Sequence, residues 1–107
     1  MPANYQTSTG FPASGNDVYQ ACLTAVPQCG FSIVSSNPPT GQIDARTGIG
    51  LRSWGENITI AVSPDGRVSI KSSCRGFQLV DYGKNKANVD KILAALSTLL
   101  QPGPQVP

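Results

Sequence analysis

The chain has 107 residues, a net charge of +2, 13% charged residues and no histidine. That length builds one domain with a single core, burying roughly 60–70% of the surface the unfolded chain exposes. The small charge argues against a nucleic-acid partner, the missing histidine removes histidine-based acid–base chemistry, and no apolar run reaches the ~20 residues of a membrane span.

Residues 1–15 are rich in Ser, Thr, Asn, Gly and Pro around isolated Tyr5 and Phe11, with no apolar periodicity. They read as a flexible arm. The start has neither a basic segment nor an apolar stretch of the secretory type, so a cytoplasmic location is expected.

Asn16 and Asp17 open a helix as its caps. Val18, Ala21, Cys22, Ala25, Val26 and Cys29 follow as its apolar stripe. Pro27 removes one N–H near the end, so the last turn should be distorted, and Gly30 suits the position after it. A first strand spans residues 31–35. Asn37 to Gly41, with two prolines, is a turn.

The second strand alternates Ile43, Ala45, Thr47, Ile49 and Leu51 with polar residues and glycines, and Gly48 and Gly50 suggest a bulge or bend near its end. Residues 53–56, including Trp54, form the next corner. Ile58, Ile60 and Val62 carry the third strand, Ser63 to Gly66 a turn, and Val68, Ile70 and Ser72 the fourth strand.

A second helix runs from about Asn85 to Leu100, with Val89, Ile92, Leu93, Leu96, Leu99 and Leu100 as its stripe. Residues 101–107, with three prolines, are a flexible tail. The predicted fold class is therefore α+β: a helix, a four-stranded antiparallel meander and a helix. Both helices cover one sheet face in a two-layer sandwich formed by residues 16–100. The opposite face carries Asp44, Arg46, Thr59, Arg67, Ser69, Lys71 and Ser73 toward solvent.

Three cysteines cannot form a complete disulfide framework. Cys22 and Cys29 lie two helical turns apart, roughly 10 Å, too far to bridge. Cys74 can meet either of them across the core, or all three are reduced core residues. Neither a metal site nor a cofactor motif is present in the pattern.

Two stretches carry a resemblance. Gly41-Gln42-Ile43-Asp44-Ala45 is similar to the G-x-I-x-A element of a bacterial uncharacterised family, domain of unknown function 1499. Ser72-Ser73-Cys74-Arg75-Gly76 followed by Asp81-Tyr82-Gly83-Lys84-Asn85 resembles that family's S-x-S-R-x-G and D-x-G-x-N signature before its last helix. The similarity spans residues 17–96 and implies a shared fold. Cys74 stands where the family tends to have Ser, the segment from Arg75 to Asp81 is spaced differently, and Asn88 stands where a basic residue is usual.

The loop from Ser72 to Asn85 holds the candidate site. Either Asp81 pairs with Arg75 to tie the loop down, with Gly83 at positive φ and Asn85 capping the second helix. Or Arg75 turns outward with Lys84 and Lys86 to hold a small anion near the helix start. Candidate binding residues are thus Arg75, Asp81, Lys84, Asn85 and Trp54, with no catalytic residue assigned. The leading function is a non-catalytic binding or protein-interaction module whose partner is a protein or a small anion. The alternative is a small enzyme or anion-binding protein using Cys74, Arg75 and Asp81. Self-association into a homodimer through an open sheet edge is the third reading.

Overall fold

The computed structural model describes residues 4–48, 55–74 and 83–100, with Cys74 described through its backbone. Among the described residues seven elements follow one another: β1 (Asn4–Gly10), α1 (Gly15–Gln28), β2 (Ser32–Asn37), β3 (Gln42–Arg46), β4 (Glu56–Val62), β5 (Arg67–Cys74) and α2 (Lys84–Leu99). The class is α+β: one antiparallel sheet and two helices.

The sheet has five strands in the order β1-β5-β4-β3-β2, one more than the alternation predicts. The extra strand lies in the segment read as an arm. From Asn4 paired with Ser73 to Gly10 paired with Arg67, it runs along β5. Its helix-side residues are Tyr5, Thr7 and Thr9, half-buried, so the period of two is present in burial but not in hydrophobicity. Backbone pairing does not require apolar side chains, and Thr and Tyr favour extended backbone.

In β4 and β5 the alternation acts as predicted. Ile58, Ile60, Val62, Val68 and Ile70 are buried on the helix side, joined by Ile43 and Ala45 of β3. Asn57, Thr59 and Ala61 are exposed on the other side. The bend expected near Gly48 and Gly50 falls at the edge of the described residues, with Gly50 outside them; the β2–β3 register shifts between Ile33 and Ser35, leaving Val34 54% exposed on an edge strand. Such a bulge blunts an edge against further pairing. The strand predicted to reach Leu51 ends as a regular element at Arg46, and Ile49 to Leu51 lie outside the described residues.

The cap of α1 is Ser14, not Asn16 or Asp17. Its hydroxyl accepts the Asp17 N–H at 3.1 Å and its carbonyl accepts the Val18 N–H at 2.9 Å. The helix starts earlier than predicted because a serine three residues ahead of an acid can satisfy the free first-turn amides. Pro27 stays inside the helix. After it the turn tightens: the Cys29 N–H reaches both Ala25 and Val26 carbonyls, and Phe31 N–H returns to Val26 at 3.2 Å.

In α2, Gly83 is the cap at φ 78° and offers no side-chain bond. The two helices pack against each other, α2 over β5 and β1, α1 over β2, β4 and β5. Val18, Cys22, Ala25 and Val26 from α1 meet Val89, Ile92 and Leu96 from α2 above the buried sheet residues, and all are sealed from solvent. Burying side chains of this size contributes about 1.5–3 kcal/mol each. Cys22 is thus a core residue, whose burial pushes its thiol up to about 12. Cys22 and Cys29 are both free. The tail at 101–107 lies outside the described residues. Neither described helix is long and apolar enough to cross a membrane.

Candidate functional site

Where the sheet passes under the start of α2, the core turns polar. Glu56, Ser72, Asn85 and Asn88 are all buried, with Ser72 and Asn85 fully sealed. Each arrives there by the same periodicity that buries its apolar neighbours. Glu56 is on the inward side of β4 in phase with Ile58, Ile60 and Val62, and Ser72 is in phase with Val68 and Ile70 on β5. Asn85 and Asn88 continue the inward stripe of Val89, Ile92 and Leu96 at helical spacing.

Their hydrogen bonds form one chain. The Thr47 hydroxyl donates to Glu56 Oε1 at 3.0 Å while accepting the Glu56 backbone N–H at 2.7 Å. Asn88 Nδ2 donates to the same Oε1 at 2.9 Å and to Ser72 Oγ at 3.2 Å. The Ser72 hydroxyl donates to Asn85 Oδ1 at 2.8 Å. Both amide hydrogens of Asn88 and the hydroxyl hydrogens of Thr47 and Ser72 are therefore used. A buried polar cluster stabilises only when its members are satisfied in this way. As built, it fixes the approach of α2 to β4 and β5.

This places the predicted binding residues unequally. Asn85 does not cap α2; it lies inside the first turn, buried against Ser72. The reason is geometric: Gly83 takes the cap position, which turns the residue two places later toward the core. Lys84 is partly exposed at the helix start. Lys86, grouped with it as an anion ligand, instead pairs with Asp90 at 2.7 Å and lies 5.9 Å from the Tyr5 ring centre, so its charge is engaged. The paired carboxylate of Asp90 raises the Lys86 pKa above its ordinary value. Arg75, Asp81 and Trp54 lie outside the described residues, as does the side chain of Cys74. The register pairs the Cys74 backbone with Glu56, so β5 ends beside the polar cluster. Glu56, which reads in the sequence as a corner residue, was the missed centre of this end. Its phase with Ile58 was the available signal.

The face away from the helices is uncovered by any described element. Register sets its residues in rows: Gln6, Lys71, Thr59, Asp44 and Ser35 lie side by side across all five strands. Ser35 Oγ and Gln42 Nε2 both donate to Asp44 Oδ2, at 3.1 and 3.2 Å, so the acid of this face is occupied. Among the described residues, Arg46, Arg67 and Lys71 on the same face enter no ion pair. Lys71 and Arg67 are four residues apart on one strand, about 13 Å. Arg46 lies two strands and one row from Lys71, about 12 Å. Among the described residues no three His, Cys, Asp or Glu side chains converge as metal ligands.

No protein-family profile matches the chain, and no curated protein matches it. Among solved structures it is similar to the crystal structure of Ara h 8.0201, at 11% identity and a TM-score of 0.54, over 91% of this chain and 96% of that one. The likeness is one of fold: an antiparallel sheet with helices packed on one side.

Proposed function

We propose that the protein is a non-catalytic protein-interaction module that receives an acidic partner on the uncovered face of its sheet. The observation carrying this reading is the charge arrangement there. Among the described residues Arg46, Arg67 and Lys71 form no salt bridge, Arg67 acting on Asp65 only through its field, whereas Asp44 is held by Ser35 and Gln42. The backbone positions of the three cations are about 12–22 Å apart, which spreads them along the face; such a spread matches acidic groups distributed over a protein surface. The fold likeness supports a domain of this architecture without adding a ligand. In this reading the chain is an outlying relative of domain of unknown function 1499, consistent with its glycine and Ser-Arg-Asp-Asn elements.

The test is a titration of isotope-labelled protein with an Asp- and Glu-rich peptide, followed amide by amide. The expected shifts fall on the outward positions of β3, β4 and β5, weaken as salt rises, and disappear in the Arg46→Glu/Lys71→Glu variant. Shifts confined to the helices, or unaltered by the charge reversal, overturn the reading.

A second reading, a small enzyme at the Cys74–Asp81 loop, draws on the register that sets Cys74 opposite the buried Glu56. Turnover in a hydrolase screen that is lost in Cys74→Ala or Asp81→Ala would establish it in place of the first.

A further inference from the structure

The two edge strands of the sheet, β1 and β2, are finished differently. In β2 the register shift between Ile33 and Ser35 interrupts the edge. In β1 the edge is regular. Asn4 to Gly10 pair with Ser73 to Arg67 in an unbroken antiparallel register, and the strand contains no charge and no proline. Charges, prolines, bulges and covering elements are the usual devices that keep an edge from pairing with another chain. Strand β1 carries none of the first three, and among the described residues no strand lies beyond it.

The register also fixes which backbone groups are left over. Phe11 N–H donates to the Gly66 carbonyl at 3.2 Å, and Ser63 N–H to the Arg67 carbonyl at 2.9 Å. Backbone bonds alternate along an antiparallel ladder. Arg67 and the residues in phase with it therefore bond β4, while Gly66 and those in phase with it bond β1. Tyr5, Thr7 and Thr9 share the phase of Phe11 and turn their N–H and C=O groups to β5. Asn4, Gln6 and Ser8 turn theirs outward from the sheet. The side chains of these three are exposed, and Tyr5, Thr7 and Thr9 on the helix side are only half-buried. The edge thus offers a row of outward backbone groups beside a strip of half-covered side chains.

We propose that β1 pairs with β1 of a second copy of this chain, antiparallel, about a twofold axis at Gln6. That axis sets Gln6 opposite its counterpart and Asn4 opposite the second copy's Ser8. These are the residues whose backbone groups point outward, and their pairing forms about six main-chain hydrogen bonds. On the helix side Tyr5 meets Thr7, an aromatic and a β-branched residue, which is a favourable cross-strand pair. A strand without charge meets its own copy with no like charges opposed. Joining β1 to β2 of another copy would instead repeat head to tail into an open fibre, and the shift in β2 opposes it. An edge contact of this kind buries less than about 1,200 Å² and is weak. The edge is distinct from the open face, and pairing there does not depend on the reading given for that face.

The experiment is sedimentation of the full chain from about 10 µM to about 1 mM, a range that spans weak association. The mean mass should climb from 11.2 kDa toward twice that value. The amide signals of Asn4, Gln6 and Ser8 should shift with concentration while those of β2 stay. Gln6→Pro removes an outward N–H from each copy and no bond to β5, at a position where an edge strand tolerates proline. It should weaken association about tenfold or more. Gln6→Lys, with its side chain on the exposed face, opposes two charges at the axis and should weaken association about fivefold. Mixing Gln6→Lys with Gln6→Glu should restore what Gln6→Lys loses alone, an effect that a folding defect does not produce. Val34→Lys on β2 should leave the mass unchanged at each concentration. A mass that stays at 11.2 kDa throughout overturns the proposal. So does association that survives both Gln6→Pro and Gln6→Lys, and so does association lost through Val34→Lys. Slow exchange of the Asn4, Gln6 and Ser8 amides in a monomer would mean that the chain's own residues cover this edge, and overturns it too.

Discussion

At the Glu56 end of the core, four buried polar side chains and Thr47 are hydrogen-bonded to one another; at the Val62 end, the buried Tyr19 hydroxyl has no partner among the described residues and its residue lines a cavity. Both ends belong to the same two layers and are reached by the same alternation along β4. They differ in what closes them. The first is closed by side chains from α2, whose polar groups lie at helical spacing and meet strand residues in phase. The second is closed by turns joined backbone to backbone, which hold glycines and prolines and supply no polar side chain to the tyrosine. A side chain can be chosen to match a buried polar group. A turn built for close backbone approach has little freedom to do so.

The largest expected effect tests whether the first end is a unit. Asn88 donates to Glu56 and to Ser72. Asn88→Ala removes both bonds and leaves two buried acceptors short of a donor, costing about 2–4 kcal/mol in chemical denaturation. The companion variant Glu56→Met/Ser72→Ala/Asn85→Leu/Asn88→Leu replaces all four buried polar side chains by apolar ones. It should recover most of that loss, since removing a whole buried network costs less than breaking it. A loss under about 0.5 kcal/mol for Asn88→Ala would show that the cluster is not coupled.

The second end breaks through its backbone. Gly41 has φ 73°, and a Cβ there would lie 2.1 Å from the Val62 carbonyl oxygen. Gly41→Ala therefore meets a left-handed backbone penalty and a contact with main chain that cannot swing away. The expected cost is about 2–3 kcal/mol. The Val62–Gly41 hydrogen bond at 2.8 Å should weaken with it, seen as faster amide exchange at Val62.

Between the two ends the core is apolar, and Cys22 reports on it. Its thiol is held up to about 12 by burial, against an ordinary value of 9.0. Below pH 9 the thiol is neutral in both folded and unfolded chains and contributes no pH dependence. Above pH 9 the unfolded chain loses the proton and the folded one keeps it, so stability falls until the folded thiol also ionises near 12. The slope is at most about 1.4 kcal/mol per pH unit. Cys22→Ala should remove that slope over and above its own pH-independent cost. Identical slopes in the two proteins would place Cys22 in contact with water.

Much of this architecture was legible in the chain. Ile58, Ile60, Val68 and Ile70 alternate strongly enough to fix β4 and β5, and Val89, Ile92 and Leu96 fix the inward face of α2. Strand β1 was not legible, because Tyr5, Thr7 and Thr9 alternate in burial but not in hydrophobicity, and its stability comes from pairing with β5. Glu56, Asn85 and Asn88 occupy apolar phases, so the periodicity contains them, but the local chemistry of a corner at Glu56 and a cap at Asn85 points the other way. The Tyr19 cavity has no local signal at all. It depends on Gly15, Gly41 and Pro64 meeting across the fold, a tertiary fact that no window of sequence expresses. Of the expected binding residues, Lys84 and Asn85 are placed at the start of α2, one partly exposed and one buried, while Arg75, Asp81 and Trp54 lie outside the described residues.

The smallest effect is the most diagnostic, because its sign separates the two ends. Ser72 and Tyr19 each bury a hydroxyl, but Ser72 donates to Asn85 at 2.8 Å and accepts from Asn88 at 3.2 Å, whereas Tyr19 has neither kind of contact. Ser72→Ala therefore removes two hydrogen bonds inside the buried cluster, lowering stability by about 1–2 kcal/mol. Tyr19→Phe removes a group desolvated by folding with nothing in return, so the ligand-free protein should gain about 0.5–1 kcal/mol. In a domain of this size that is a rise of about 2–8 °C in Tm. The ring remains, so packing against α1 and the turns is kept. A fall in Tm for Tyr19→Phe would mean that the hydroxyl is already paired in the unliganded protein, for example by a trapped water, and the contrast between the ends would vanish. A rise, set beside the fall for Ser72→Ala, shows that a buried hydroxyl holds the fold together at one end of the core and weakens it at the other.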